Sequence, residues 1–325
     1  MAEGDADRVV SLPDVAAIRA AAARIAAYVH RTPLLTCRAL DEVTGAHLFL
    51  KCESFQKVGA FKARGAVNAV FSLPADMATR GVVTHSSGNH GAALAYAAQQ
   101  RGITAYVVMP ENAPHIKVAN VRGFGGTITF CAPTLAAREQ GSAAIVRQTG
   151  ATLIHPYDDV DVIAGQGTAT VELLEDVPDL DCVIAPVGGG GLLSGTAIAA
   201  TGVKPGIMVL GAEPRGADDA ARSFAAGALT TTGPPETIAD GLRGALSPRT
   251  LRALQAHVSA IGTCSEESIV DAMRMTWERM KIVIEPSAAV PLGCLLEGTL
   301  DIRGKRVGII VTGGNVDLDR LPWQK

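Results

Sequence analysis

The chain has 325 residues, enough to bury a sizeable core in one large domain or two modest ones. Hydrophobic residues make up 48% and charged residues 19%, which excludes a disordered chain. The net charge of -3 lacks the basic footprint of a partner for nucleic acid or an anionic membrane.

The opening MAEGDADRVVSLPDV is acidic and has neither the basic nor the apolar part of a signal peptide. Val15, Ile18, Ala22, Ile25 and Val29 share one helical face, which predicts a helix from Pro13 to about Val29 with Ser11 as its cap. HLFLKCE then reads as a strand. From residue 81 onward short apolar runs alternate with helical ones. Strands are expected at 81–85, 105–109, 127–130 and 152–154, with helices near 90–101, 114–122 and 134–149. The alternation resumes with CVIAPV (182–187), a helix near 192–200 and IMVLGAE (207–213). It ends with helices at 265–280 and 286–297 and the strand RVGIIVT (306–312). The uncharged run from Cys182 to Val203 contains six glycines and a proline, so it is a buried strand, loop and helix, not a membrane span. Strand–helix repeats imply an α/β fold of parallel sheets with helices on both faces, in two lobes. A ligand cleft belongs at the carboxyl ends of such strands.

Six cysteines, Cys37, Cys52, Cys131, Cys182, Cys264 and Cys294, are scattered with no CxxC pair, which suits the cytoplasm and excludes a disulfide framework. His30, His85, His115, His155 and His257 lack metal spacing and read as surface or satisfied polar groups.

Four segments carry chemistry. Gly188, Gly189, Gly190 and Gly191 follow an apolar strand and open a helix, where backbone N–H groups unhindered by Cβ atoms can cradle a phosphate. The same residues nearly match a dinucleotide fingerprint, with Glu213 placed as a ribose-binding acid, so a nicotinamide oxidoreductase is an alternative on this segment alone. In SFQKVGAFKARGA, Lys62 sits among apolar neighbours, and burial would leave its amine neutral and able to form a Schiff base. THSSGNHG, between a strand and a helix, offers donors to a carboxylate, and TGGN brings Thr312 to a strand's carboxyl end.

Taken in order, RTPL, GAFKARGA, SSGNHG, VGGGG, AEP…ADD, PPETIADG, WERMK…IEPSA and TGGNVDL resemble the fold-type II pyridoxal-phosphate (PLP) enzymes. Within these the chain is similar to the serine racemase and serine/threonine dehydratase family, over about Arg31 to Leu318. The resemblance implies a tryptophan synthase β-like fold, with a large PLP domain (1–80 and 159–325) and a small domain (81–158) for the substrate carboxylate. It implies that Lys62 holds PLP as a Schiff base with Phe61 against the ring, and that Gly188–Gly191 with Leu192 bind its phosphate. Asn89 would meet the phenolic oxygen and Thr312 the pyridine nitrogen. Ser86, Ser87, Asn89 and His90 would hold the substrate carboxylate, with Arg138 nearby.

By the same resemblance Lys62 would take the α-proton, and Ser87 would be a second acid/base on the opposite face, as racemisation requires. Glu213, the Ala217 carbonyl and Asp219 match a divalent cation site suited to Mg²⁺, Mn²⁺ or Ca²⁺. Ala92 and Phe124 stand where animal racemases carry nucleotide-contacting residues, so nucleotide activation is not expected. The function implied is a PLP-dependent ammonia-lyase acting on L-serine and/or L-threonine, with serine racemase activity, in a cytoplasmic homodimer. The alternative within the family is threo-3-hydroxyaspartate ammonia-lyase. No nucleic acid or membrane partner is expected beside the small hydroxy amino acid.

Overall fold

A carboxylate sets the first helix, in place of the serine expected to cap it. Asp14 accepts the amide of Ala17 at 2.7 Å and α1 (Val15–Ile25) follows, shorter at both ends than its periodicity suggests. It buries Ile18, Ala21 and Ile25. The computed structural model describes residues 11–86, 88–113, 115–230 and 233–324.

After α1 come β1 (Leu34–Leu35), α2 (Arg38–Thr44), β2 (His47–Cys52), α3 (Lys62–Ser72) and α4 (Ala75–Ala78). The chain then builds a sheet from one continuous stretch: β3 (Val82–Thr84), α5 (Asn89–Arg101), β4 (Ala105–Pro110), α6 (His115–Gly123), β5 (Thr127–Cys131), α7 (Leu135–Thr149) and β6 (Thr152–Leu153). Its order is β5-β4-β3-β6, all parallel. The chain returns through α8 (Val160–Asp176), β7 (Cys182–Pro186), α9 (Gly191–Val203), β8 (Met208–Pro214), α10 (Asp219–Ala226) and α11 (Pro248–His257). It finishes with β9 (Ala260–Cys264), α12 (Glu266–Met280), α13 (Pro286–Leu296) and β10 (Arg306–Val311). The second sheet runs β1-β2-β10-β7-β8-β9 and is parallel except where β1 meets β2.

The inner strands of both sheets are buried on both faces, as parallel sheets require, whereas the edge strand β5 is largely exposed. Along β7, Cys182 and Ile184 enter a core shared with α13, whereas Val183 and Ala185 enter another with α8 and α9. In β3, Val82 packs with α5 and Val83 with α7. This period-two division explains why the strands read as unbroken apolar runs. Helix α3 packs on both α5 and α8 and so bridges the sheets.

The strands expected from the sequence appear within a residue or two of their places. The elements not anticipated include α8, β9 and α11. Helix α8 carries Gly165 and Gly167, weak helix formers that read as loop. Their purpose is close approach: a Cβ at Gly165 would lie 2.6 Å from the Arg64 carbonyl oxygen of α3, and one at Gly167 2.7 Å from that of Gly195 in α9.

Candidate active site

The residues singled out in the sequence converge on carboxyl ends of strands. Thr312 follows β10, Gly188 follows β7, Glu213 lies near the end of β8, and His85 and Ser86 follow β3. Lys62 opens α3, and its position is fixed from both directions. The Phe61 amide donates to the Thr312 carbonyl at 2.9 Å, and Ala60 bridges Gly313. Just upstream, Val58 holds a left-handed backbone (φ 58°), strain of the kind that collects at functional sites.

The Lys62 amine donates to the carbonyl of Pro156 at 2.8 Å and lies 5.1 Å from the centre of the Phe61 ring. Burial pulls its pKa down from 10.5 to about 8, opposed by the charge of Glu285. A neutral amine is therefore accessible near physiological pH, as a Schiff-base lysine requires.

The glycine run between β7 and α9 leaves no room for side chains. A Cβ at Gly189 would lie 2.4 Å from the Tyr157 ring, and one at Gly188 2.8 Å from Leu242. Gly190 is left-handed (φ 86°) and serves as N-cap, so the turn aims backbone amides ahead of α9. Leu192, in the first turn, is buried. The Thr312 hydroxyl is buried with no hydrogen-bond partner. A phosphate cradle, a neutral amine and an orphaned hydroxyl fit the cofactor that the resemblance implies.

Asn89, first residue of α5, donates to both carboxylate oxygens of Glu285 at 2.9 and 3.1 Å and accepts from Asn315 at 2.9 Å. Its amide is thereby oriented. Glu285 is not among the residues anticipated. As an acid before Pro286 at the start of α13 it reads as a simple helix cap, yet it is buried, and burial pushes it up to about 7.

His90 is turned away from the carboxylate role its motif suggests. Its Nε2 pairs with the Ile154 carbonyl at 3.3 Å, so that nitrogen carries the proton, and the buried Nδ1 has no partner. Burial and the nearby Lys62 hold it well below the ordinary histidine range. Ser86 is half-buried in the loop before α5, and its hydroxyl accepts the Gly88 amide at 3.4 Å. Arg138 reaches back from α7 to the His85 carbonyl at 3.4 Å. Ser87 lies outside the described residues. His155 is a satisfied group, as expected, its Nδ1 accepting the amides of Tyr157 and Asp158 at 3.4 and 2.9 Å, and its ring lies 5.2 Å from that of His85. His85, expected to be a surface or satisfied group, is instead buried, with its Nδ1 unpartnered.

Glu213, Ala217 and Asp219 gather beyond β8. Both oxygens of Glu213 accept amides from the first turn of α10, Ala220 at 3.0 Å and Ala221 at 2.8 Å. Burial still pushes this carboxyl up to about 9. An acid so deprived of compensation fits a cation that would hold it ionised. Among the described residues no group of three or more His, Cys, Asp or Glu assembles, so the candidate set is two carboxylates and a carbonyl.

Residues 25–313 match the family model "Pyridoxal-phosphate dependent enzyme". The chain is 51% identical over 312 residues to the beta-hydroxyaspartate dehydratase of Paracoccus denitrificans, covering 96% of this chain and 99% of that protein. Among solved structures it superposes on maize serine racemase with a TM-score of 0.93 at 47% identity, covering 95% of each chain. It superposes on a threonine deaminase of T.th. with a TM-score of 0.89 at 44% identity, covering 94% of this chain and 99% of that one. These matches remove the nicotinamide alternative for the glycine run.

Proposed function

The chain belongs to the family of pyridoxal-phosphate-dependent enzymes, and from that premise we propose an ammonia-lyase acting on L-serine and/or L-threonine. Serine racemisation is its companion activity. The observation that carries this reading is the desolvated Lys62 amine held by the Pro156 carbonyl, next to the tyrosine that packs on a side-chain-free glycine run.

Bound here, PLP supplies the electron sink for the pair left on the α-carbon. Gly188–Gly191 and Leu192 hold its phosphate, Phe61 packs on its ring, Asn89 meets its phenolic oxygen and Thr312 its ring nitrogen. A threonine hydroxyl, unlike a carboxylate, does not enforce ring protonation, which favours prompt loss of a β-leaving group. The free Lys62 amine would remove the α-proton from one face. Ser87 returns or removes it on the other. Ser86, Asn89 and the first turn of α5 bind the substrate carboxylate, where amide dipoles favour negative charge. His90 contributes there through its backbone, since its side chain is committed to Ile154.

The match to the Paracoccus enzyme favours a second reading, threo-3-hydroxyaspartate as substrate. Arg138, anchored on the His85 carbonyl, offers the extra cation that a second carboxylate needs. Glu213, Ala217 and Asp219 bind an activating Mg²⁺, Mn²⁺ or Ca²⁺ in this proposal. A large domain of 1–80 and 159–325, a small one of 81–158, a homodimer and a cytoplasmic setting complete it. Six free cysteines accord with that setting, and no helix of the described residues is long and apolar enough to cross a membrane.

The test is a panel of serine, threonine and 3-hydroxyaspartate enantiomers, with and without a chelator, following oxo acid and D-amino acid together. Oxo acid from serine or threonine supports the first reading, and preference for hydroxyaspartate supports the second. Ser87→Ala should abolish D-serine while pyruvate persists. Absence of D-serine from the unaltered enzyme would discard the racemase component.

A further inference from the structure

Tyr157 stands in the site with no role assigned to it. Its ring lies flat against Gly189 of the phosphate cradle, so that a Cβ there would sit 2.4 Å from ring carbons. The same edge borders the loop after Asp240, where a Cβ on Gly244 would come 3.5 Å from Cε1. The His155 ring meets it edge-on, with centroids 4.6 Å apart. Its neighbour in the chain, Pro156, supplies the carbonyl that holds the Lys62 amine. The phenol is thus held against the cradle, on the residue next to the one whose carbonyl holds the Lys62 amine. Its oxygen has no hydrogen-bond partner among the described residues, although half-buried tyrosines ordinarily find one. Burial raises its pKa, so the hydroxyl keeps its proton at neutral pH.

We propose that Tyr157 is the general acid that protonates the departing β-hydroxyl. The inference rests on the reading that the chain eliminates water from a 3-hydroxy amino acid. Hydroxide is a poor leaving group, and Lys62 is engaged at the α-carbon. In the step, the Lys62 amine takes the α-proton and that C–H pair becomes the Cα=Cβ bond. The Cβ–O bond breaks with its pair on oxygen, which takes the Tyr157 proton and leaves as water. The phenolate regains a proton from the Lys62 ammonium through solvent, so the α-hydrogen is balanced by the hydrogen lost in water.

The test compares the PLP-loaded enzyme with Tyr157→Phe, which keeps the ring stacked on Gly189, using the 3-hydroxy substrate and 3-chloro-L-alanine. Chloride needs no proton to leave. The hydroxyl substrate should slow by about 10² in kcat, within the range of a general acid, while chloroalanine turnover and the near-visible absorbance of bound PLP stay unchanged. Equal losses on both substrates, or no loss on either, overturn the proposal, and chloroalanine turnover reports folding and loading in the same sample. Should the unaltered enzyme process chloroalanine but no hydroxy amino acid, the lyase reading itself fails and this role falls with it.

Discussion

Two polar clusters lie on either side of the first turn of α3, and they are built on opposite principles. Behind Lys62, the buried guanidinium of Arg64 grips Glu53 at 2.7 and 2.9 Å and Glu172 at 2.7 and 2.8 Å, with Thr168 at 3.1 Å. Lys51, fully buried, pairs with Glu172 at 2.7 Å and donates to the Thr32 carbonyl at 2.7 Å, while the Thr32 hydroxyl donates to Glu53 at 2.5 Å. Two cations meet two carboxylates and their donors and acceptors are used. Burial alone would raise Glu172, yet hydrogen bonds from Arg64 and Lys51 hold it below the usual carboxylate range. In front of Lys62 the bonding is incomplete. The hydroxyls of Thr312 and Thr84 and the Nδ1 of His90 are buried without partners, Lys62 is driven down and Glu285 up. A saturated cluster defines structure, and an unsaturated one in the same small volume marks where a ligand completes the bonding.

That contrast breaks most directly at its centre. Lys62→Ala should lower turnover by about 10³ or more, the loss expected of an essential base, and abolish the near-visible absorbance of bound PLP. Its thermal midpoint without cofactor should change little, because relief of the amine's desolvation offsets the lost Pro156 hydrogen bond and stem packing. A cooperative unfolding scan and a spectrum check both halves. On the saturated side the order reverses. Arg64→Met strips the buried Glu53 of its cation and leaves Glu172 with Lys51 alone, and should cost about 3–5 kcal/mol in chemical denaturation, with activity lost through unfolding. If Arg64→Met leaves stability intact while activity vanishes, the division between the clusters is wrong.

How much of this is legible in the sequence differs between the clusters for a physical reason. Lys62, Thr312 and the glycine run stand in compact segments at strand ends, so residue type and local spacing disclose them. The Arg64 cluster draws on Thr32, Lys51, Glu53, Thr168 and Glu172, apolar or helical contexts far apart in the chain, in which a charged residue reads as a solvated face. The alternation of strands is readable because the inner strands of each sheet are buried on both faces. Helix α8 is not, because the close crossing of α3 demands glycines that weaken any local helix signal. Glu285 and Tyr157 escape for the same reason as the Arg64 cluster. Each looks locally like a cap or a loop aromatic, and only the fold brings them to Lys62.

The smaller effect is a pH dependence within the unsaturated cluster. Burial, with the charge of Asp240, raises Glu285 from 4.5 to about 7, against the hydrogen bond from Asn89. Between those values the folded chain still binds the proton that the unfolded chain has released, so stability falls as pH rises through the window and levels off above it. Lys62, lowered from 10.5 to about 8, works the other way, because its folded form has shed a proton that the unfolded chain keeps, and stability is regained above about pH 8. Glu285→Gln stays neutral throughout and can still accept from Asn89. Denaturation of the two cofactor-free proteins at a series of pH values isolates this group. The variant should gain on the unaltered protein by up to about 1.4 kcal/mol per pH unit between about 4.5 and 7, and by a constant amount above. Parallel curves across that window would mean that Glu285 is ionised at mildly acidic pH. The front cluster would then be compensated like the one behind it, and the contrast between them would rest on its orphaned hydroxyls and imidazole alone.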